Sequence, residues 1–561
     1  MRLLAASISC TAALSVAASA PDYVPEPKPV RSAVDLTAFY YPGTEHMPEW
    51  DMVAQTMPQI KPLLGWYDEG HPENVDWQIK WAVEHGIGSF CVDWYWNRGE
   101  QRLDHWVKAY YRARYRRYLK WYMMYANHNA PGAHSEEDQK AVTRWWIDNY
   151  FGTPEYYTED GRPVVVYYEL RNLDRDFIAE ARSRGETLRP GEGAGRALDI
   201  TRKMVRDAGL PGVKFYALWF YGYDESMRRL FEIAGVEGLA TYNITSWYHV
   251  RAGHPDRVRL EREPVRRSFG YGYIRDASEG FWNFCRGKGG KIPFYPIIST
   301  GWDDRPRSFQ RAKIISGFTA ENFAEVCRRC RAWCETNGVR RAFIAPLNEW
   351  QEGSMIEPNG QYGFGMYEAL RNAFCERPKD GWPEKVTPAS VGRPNPQYPP
   401  MRRSGSRSWN FTSSTEGWYR QPYGCQNTVS TNGNLRFLTA YDDNFHIRQR
   451  LVPFDASGCG TFRLRMRVSL NERYGLGRFA EKGARMRLKW GSTGSPLIKA
   501  DISVEWDRSV VEAPVQADGR WHEYALSLKE NPDWAGMIDE VWIEAVNAKH
   551  AVCEIDWMRF E

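Results

Sequence analysis

Two glutamates three residues apart, Glu349 and Glu352, stand where an apolar run stops. The run is Phe343-Ile344-Ala345-Pro346-Leu347, and Asn348-Glu349-Trp350-Gln351-Glu352-Gly353 follows it. Two carboxyl groups held close together at different pKa values make an acid and a base. Cleavage of a glycosidic bond needs such a pair: one carboxylic acid protonates the departing oxygen, and a second carboxylate activates a nucleophile or stabilises a cation-like transition state. On a straight strand, residues three apart point to opposite faces, so both reach one place only if the chain turns directly after the strand. Trp350 and Gly353 suit such a turn, one by bulk and the other by conformational freedom. An isolated E-x-x-E is common and reads equally well as one glutamate capping the next helix and the other in solvent, so the surroundings decide.

From residue 35 to 350 eight short β-type runs recur: "LTAFYYP", "GIGSFCVDWYW", "LKWYMMYANH", "RPVVVYYEL", "VKFYALWF", "GLATYNIT", "IPFYPIIST" and "RAFIAPLNEW". Amphipathic helices such as "VDWQIKWAVEHG" and "ENFAEVCRRCRAWCETNG" lie between several of them,. Eight strand–helix units predict an α/β fold, a (β/α)8 TIM barrel. The runs are apolar along their whole length, as strands covered on both faces should be. Their C-terminal ends carry Asp93-Trp94-Tyr95-Trp96, Asn127-His128, Tyr168-Glu169, Asn243, Trp302-Asp303-Asp304-Arg305 and Asn348-Glu349. In a barrel these ends meet on one face, where catalytic groups converge. The expected substrate-binding set is therefore Tyr41, Asp93, Trp94, Tyr95, Asn127, His128, Tyr168, Asn243, Trp302, Asp303, Asn348 and Trp350, around a catalytic pair Glu349 and Glu352. Asp93 can hold sugar hydroxyls while Trp94 and Tyr95 stack on the ring, or it can pair with a neighbouring Arg. Asp303, Asp304 and Arg305 read equally as a subsite or as an internal ion cluster. Either Tyr40 or Tyr41 points inward by alternation; Glu45 and His46 in the first loop are weaker candidates.

"NEWQEGSMIEPNGQYGFGMYEAL" resembles the terminal-strand motif of glycoside hydrolase family 99 and of the related WbsX-like family, which carry N-E-W-x-E-G; WbsX-like members continue with E-P and a later Gly. "GWYDEGHPENVDWQIKWAVEHGIGSFCVDWYW" is similar to their tyrosine–aspartate segment, helix and second strand, and "GWDDRPR" (301–307) to their post-strand-seven pattern. The resemblance covers roughly residues 35–375. It implies retaining hydrolysis of an α-mannoside-type linkage. Glu349 would deprotonate the sugar's own 2-hydroxyl to give an epoxide, and Glu352 would protonate the leaving oxygen and then activate water. Two departures bear on specificity. Gln351 stands where endo-mannosidases carry His, and "YANHNAPGAH" replaces the W-A-N-E-N-W of WbsX-like proteins, with His128 in place of the acidic residue.

The remaining features bound the setting. Hydrophobic and charged fractions of 43% and 26% describe an ordinary globular chain, and a net charge of +4 argues against nucleic acid,. The 25 Trp and 32 Tyr exceed that ordinary picture, and their flat faces suit sugar C–H surfaces as well as large cores,. "MRLLAASISCTAALSVAASA" (1–20) predicts a secretory signal, hence a secreted, periplasmic or extracellular protein, and no other run is long enough to span a membrane,. Of the nine remaining cysteines at least one must lack an intrachain partner; Cys327, Cys330 and Cys334 predict a helix packing face rather than a metal site,. Residues 21–377 form the expected barrel, 378–408 a Pro/Gly/Ser-rich linker wrapping it, and 409–561 an all-β jelly-roll sandwich. The sandwich's "WNFTSSTEGW" and "IDWMRF" resemble carbohydrate-binding modules; a buttress for the barrel explains the domain equally well. No H-E-x-x-H, phosphate-cradling glycine loop or Ser–His–Asp signature appears in a supporting context, and no metal or cofactor is expected. The expected function is glycosidic-bond hydrolysis on a polysaccharide or glycan. Its rivals are a WbsX-like glycan-assembling glycosyltransferase, which a secretory signal argues against because activated nucleotide sugars are cytoplasmic, and a non-catalytic glycan-binding protein.

Overall fold

The computed structural model describes residues 22–561 apart from 45–46, 130, 220–223, 309–311, 400–402, 421–424, 440–445, 478–479 and 493–508. The expected signal at 1–20 and the weaker candidates Glu45 and His46 lie outside the described residues.

Among the described residues eight parallel strands make the barrel: β1 (Asp35–Tyr40), β2 (Ile87–Asn97), β3 (Lys120–Tyr125), β4 (Arg162–Tyr167), β5 (Lys214–Leu218), β6 (Gly238–Ala240), β7 (Ile297–Ser299) and β8 (Arg341–Ala345). Strands β1 to β6 pair in chain order, and β8 lies between β7 and β1. β6 meets the β7 segment through a parallel bridge between Leu239 and Phe294, with the Tyr295 N–H donating to the Leu239 carbonyl at 2.8 Å, which closes the ring. These segments are strands because β-branched and aromatic residues dominate them and both faces are covered, one by the barrel interior and one by helices; every residue of β8 is buried. Small hydroxyls inside the barrel satisfy one another: Thr37 and Ser89 lie 2.7 Å apart, and Tyr122 donates to Thr37 at 3.2 Å.

The outer layer includes the helices Pro72–Val83, Leu170–Ser183, Tyr271–Gly289 and Ala320–Asn337. The last starts where the Thr319 side chain accepts from the Asn322 N–H, and it stops at Gly338, whose φ of +66° suits glycine,. It buries Cys327, Cys330 and Cys334 on its inner face, and among the described residues no two cysteines are joined in a disulfide. No helix among the described residues is long and apolar enough to cross a membrane.

The segment after the barrel runs back over its first loop. Asn395 donates to the Leu64 carbonyl at 2.9 Å, Arg393 pairs with Glu73 at 2.9 Å, and Trp81 donates to the Val386 carbonyl at 2.8 Å. Two antiparallel sheets follow and share one core that includes Trp409, Trp418, Trp490 and Trp534. The first contains Gln426–Thr431, Asn434–Leu438, Val552–Phe560, Thr461–Ser469 and His522–Ser527, with Ser408–Trp409 added on Val552–Phe560. The second contains Tyr419–Arg420, His446–Asp455, Met537–Glu544, Arg485–Ser492 and Val510–Pro514. In Thr461–Ser469, Phe462, Leu464, Met466 and Val468 are buried and the residues between them are not, the period of two that a sandwich strand requires,.

Candidate active site

Beyond β8 the chain makes a tight hairpin. Asn348–Glu349 pairs antiparallel with Ser354–Met355, and Trp350–Glu352 forms a single helical turn between them. Gly353 closes that turn at φ +54°, and a Cβ there would stand 2.5 Å from the Asp303 carbonyl oxygen, so only glycine fits,. The turn cancels the alternation of a straight strand. Glu349 and Glu352 consequently line the same cavity, of about 450 Å³, at the C-terminal mouth of the barrel.

The neighbours of the two carboxyl groups differ. The Tyr242 hydroxyl donates to Glu349 Oε1 at 2.5 Å, a bond that favours the ionised carboxylate,. Burial, then the charges of Asp93 and Glu349, push the Tyr242 phenol well above its ordinary pKa, so it stays a neutral donor. Beside Glu352 stands Asp93, which is only 5% exposed. Burial first, and the negative charge of Glu352 second, raise the Asp93 carboxyl well above the usual carboxylate range,. Its Oδ1 is buried without a hydrogen-bond partner among the described residues. The hydrogen bond from Tyr242 thus sits on Glu349, and the carboxyl with the raised pKa, Asp93, sits beside Glu352.

Of the expected binding residues, Tyr41, Asp93, Tyr95, His128, Tyr168, Asn243 and Trp302 line the cavity. His128 is exposed at the rim, its ring 6.0 Å from that of Tyr95 and 5.0 Å from that of Tyr168. Asn243 also tethers the floor, donating to Ser354 Oγ at 2.7 Å and to Thr300 Oγ1 at 3.2 Å. The Lys313 ammonium lies 4.3 Å from the centre of the Trp302 ring,. Between the alternatives Tyr40 and Tyr41, it is Tyr41 that faces the cavity; Tyr40 is fully buried and donates to Glu69 at 2.7 Å.

Five expected residues are not on the cavity wall. Trp94 alternates with Asp93 and Tyr95 and therefore points outward, packing on Trp96, Tyr125 and Trp146 with ring centres 5.7–5.8 Å apart,. Asn127 exchanges two 2.8 Å bonds with the Glu169 backbone and ties the end of β3 to the end of β4. Asp303 pairs with Arg305, whose Nε donates to it at 2.7 Å, which is the ion-cluster alternative. Asn348 accepts from the Tyr41 N–H at 2.9 Å and donates to Glu69 at 3.1 Å, so its amide is consumed in positioning the hairpin. Trp350 is buried against Trp50, ring centres 5.7 Å apart, and donates to the Tyr67 hydroxyl at 3.4 Å.

The cavity also takes in Met124, Ala126, Tyr242, Thr245, Ser246, His249 and Lys313, none of which the sequence reading named. Tyr242 had a usable signal, since it adjoins Asn243 at a strand end. His249 lies in the helix Trp247–Gly253, and Lys313 lies in a loop, where no periodicity marks a residue as inward. A second layer beneath the wall was equally hidden. Glu69 joins Tyr40, His105 and Asn348. Glu357 accepts from Tyr67 at 2.9 Å and from Gln78 at 3.2 Å. Complete burial pushes the Glu357 carboxyl up to about 8. Among the described residues no group of three His, Cys, Asp or Glu side chains is placed to hold a metal ion.

Residues 194–370 match the model of the family described as Glycosyltransferase WbsX, a span that contains the terminal-strand motif and agrees with the WbsX-like resemblance read from it. Uncharacterized protein WxcX of Xanthomonas campestris pv. campestris is 23% identical over 379 residues, covering 61% of this chain and 50% of WxcX. The chain thus spans about half the length of the curated relatives it matches. Among solved structures, a glycoside hydrolase-like protein aligns with 16% identity and a TM-score of 0.45, covering 63% of this chain and 98% of that one. The family 99 endo-α-mannosidase of Bacteroides thetaiotaomicron aligns with 15% identity and a TM-score of 0.38, covering 60% and 96%.

Proposed function

We propose that this protein is a secreted glycoside hydrolase acting on a polysaccharide or glycan, with Glu349 and Glu352 as its acid/base pair. The observation that carries this reading is the hairpin, which sets both glutamates on one cavity wall with unlike neighbours. Tyr242 on Glu349 favours a base, and the buried Asp93 beside Glu352 favours a site that holds a proton,. The roles follow from the family resemblance. The Glu349 carboxylate takes the proton from the sugar's 2-hydroxyl, and that oxygen attacks the anomeric carbon as the bond to the leaving oxygen breaks. Glu352 donates its proton to the leaving oxygen. It then takes a proton from the water that opens the epoxide, while Glu349 returns its proton to the 2-oxygen. Configuration at the anomeric carbon is retained after two inversions. An α-mannoside-type linkage is the first substrate to try, although Gln351 and the His128 segment depart from the families that set that expectation. A secreted location rests on the 1–20 leader.

A second reading, transfer of the glycosyl group to an acceptor sugar, draws on the description of the matching family model. A panel of mannans, rhamnose-containing polysaccharides and glycoprotein glycans, assayed for reducing ends with and without nucleotide sugars, separates the two. Reducing-end release without a nucleotide donor, abolished in E349Q and E352Q, supports hydrolysis. Product that requires the donor supports transfer. Binding without product in the wild-type protein leaves a glycan-binding platform and removes both.

A further inference from the structure

The helix Met47–Thr56 in the first loop of the barrel touches both the catalytic hairpin and the C-terminal sandwich. On one side Trp50, fully buried, packs on Trp350 and on Tyr67 with ring centres 5.7 and 5.1 Å away. Its indole donates to the Tyr67 carbonyl at 3.0 Å. Trp350 is the residue between the two glutamates, and its own indole donates to the Tyr67 hydroxyl. On the other side the next residue, Asp51, is 4% exposed and faces the sandwich strand His446–Asp455. Arg448 forms an ion pair with Asp51, Arg450 donates to it at 2.8 Å, and the Tyr419 hydroxyl lies 3.5 Å away. Arg448 is completely buried and also reaches Tyr419 at 2.7 Å, Glu540 at 3.2 Å and the Met52 sulfur at 2.7 Å.

A buried ion pair adds little to stability over a well-packed apolar contact. What it adds is direction: a planar guanidinium accepts a carboxylate in few orientations, so the pair fixes how two surfaces meet. Here the surfaces meet one residue from the indole that backs the catalytic turn. We propose that the C-terminal sandwich is a positioning element of the active site, in which Arg448 and Arg450 clamp Asp51 and so hold Trp50 against Trp350 and the two carboxyl groups in register. The sandwich then acts within catalysis, and a module that only recruits glycan would not. This inference rests on the hydrolase reading for its kinetic consequence, while its structural consequence stands without it.

The test uses the full-length chain with R448M, R448K, D51N and the double variant D51N/R448M. Three quantities are measured: kcat and KM on a small soluble substrate of the wild-type protein, thermal midpoint, and amide hydrogen exchange of peptides spanning 343–357. Displacements of an ångström near reacting groups cost large factors, so kcat in R448M and D51N should fall about tenfold or more, with a much smaller change in KM. R448K should recover part of the loss, and the double variant should be no worse than the poorer single, because one contact is removed in each. Exchange in 347–356 should rise. Should R448M fold too poorly to assay, R450Q removes the more peripheral arm of the clamp and should give the same pattern at about threefold. Wild-type kcat together with unchanged exchange at 347–356 in the folded variants overturns the proposal. Raised exchange in a protein whose wild type cleaves no glycan keeps the clamp and removes the hydrolase reading instead.

Discussion

At the N-terminal end of the barrel, Arg341 is buried inside a box of Tyr122, Tyr157, Tyr216 and Tyr295, with Asp35 3.1 Å and Glu159 3.6 Å from its guanidinium. At the C-terminal mouth, Asp93, Glu349 and Glu352 line one cavity, and burial first and the charge of Glu352 second raise the pKa of Asp93. Both ends remove ionisable groups from water, which is costly in either case. The lower end answers with an opposite charge and with hydrogen bonds from the guanidinium to Asp35, Tyr157 and Tyr216. At the mouth carboxyls face carboxyls, and the cost appears as an Asp93 carboxyl raised well above the usual carboxylate range, by burial first and by the charge of Glu352 second. A fold spends such an arrangement where proton transfer is useful, whereas the lower arrangement serves only to hold the strands together. The difference between the ends is therefore a statement about function that each end alone could not support.

The largest test of this contrast is at the mouth. E349Q and E352Q should each lower kcat by about a thousandfold, within the range that a positioned acid or base contributes. Both should leave the thermal midpoint unchanged or slightly higher, because a like charge has been removed. A parallel fall in stability and activity would put these residues on the same footing as Arg341. R341M should behave in the opposite manner. It leaves Asp35 without its buried cation while Glu159 keeps Lys214 at 3.4 Å, and because both carboxylates keep some access to water the cost sits at the low end for such pairs, about 3 kcal/mol. Urea denaturation should report that loss while kcat per folded molecule stays within about twofold.

Much of this layout was legible in the chain. The eight barrel strands announced themselves as apolar runs because both of their faces are covered, and the sandwich strands did so by alternation. The hairpin was legible because Glu349, Trp350 and Gly353 have no better use in a straight strand. What escaped is long-range. Asp51 and Arg448 meet across nearly 400 residues, and neither carries a local pattern that names its partner. Glu69 and Glu357 lie in ordinary-looking segments and become a buried layer only when the loops pack. Trp94 shows a different failure: with Asp93 and Tyr95 facing inward, alternation already required it to face out. Asn348 and Trp350 were expected on sugar, yet a polar or aromatic residue flanking a catalytic group is as often what holds that group.

Between the two ends lies a third arrangement, and it predicts a pH effect. Glu357, beneath the cavity floor, is pushed up by burial to about 8 from an ordinary 4.5, with the nearby Glu69 adding to the rise. A carboxyl whose pKa is higher in the folded than in the unfolded chain binds more protons when folded, so stability is greatest below about 4.5 and declines as pH rises towards 8,. One such group contributes a slope of up to about 1.4 kcal/mol per pH unit. E357Q imitates the neutral carboxyl. Denaturation curves at several pH values should show wild type and variant alike near the lower limit, with the variant losing less stability across the window. A variant whose stability falls with pH as steeply as wild type would place the titration elsewhere.

The smallest expected effect separates the two proposed acid/base carboxyls from each other. Tyr242 donates to Glu349, whereas it is Asp93 that feels the charge of Glu352 after the effect of its own burial. A hydrogen bond to a charged acceptor is worth about 1.5–3 kcal/mol, so Y242F should lower kcat/KM by about tenfold while the phenyl ring keeps its packing on Phe39, 4.8 Å away. The direction of the pH shift carries more information than the size of the loss. Losing a donor to the ionised form makes that form harder to reach, so the acid limb of the rate profile should move to higher pH. The alkaline limb reports loss of the proton from the acid and should stay in place. If instead the alkaline limb moves, Glu349 is the proton donor, and the two glutamates exchange the roles proposed for them.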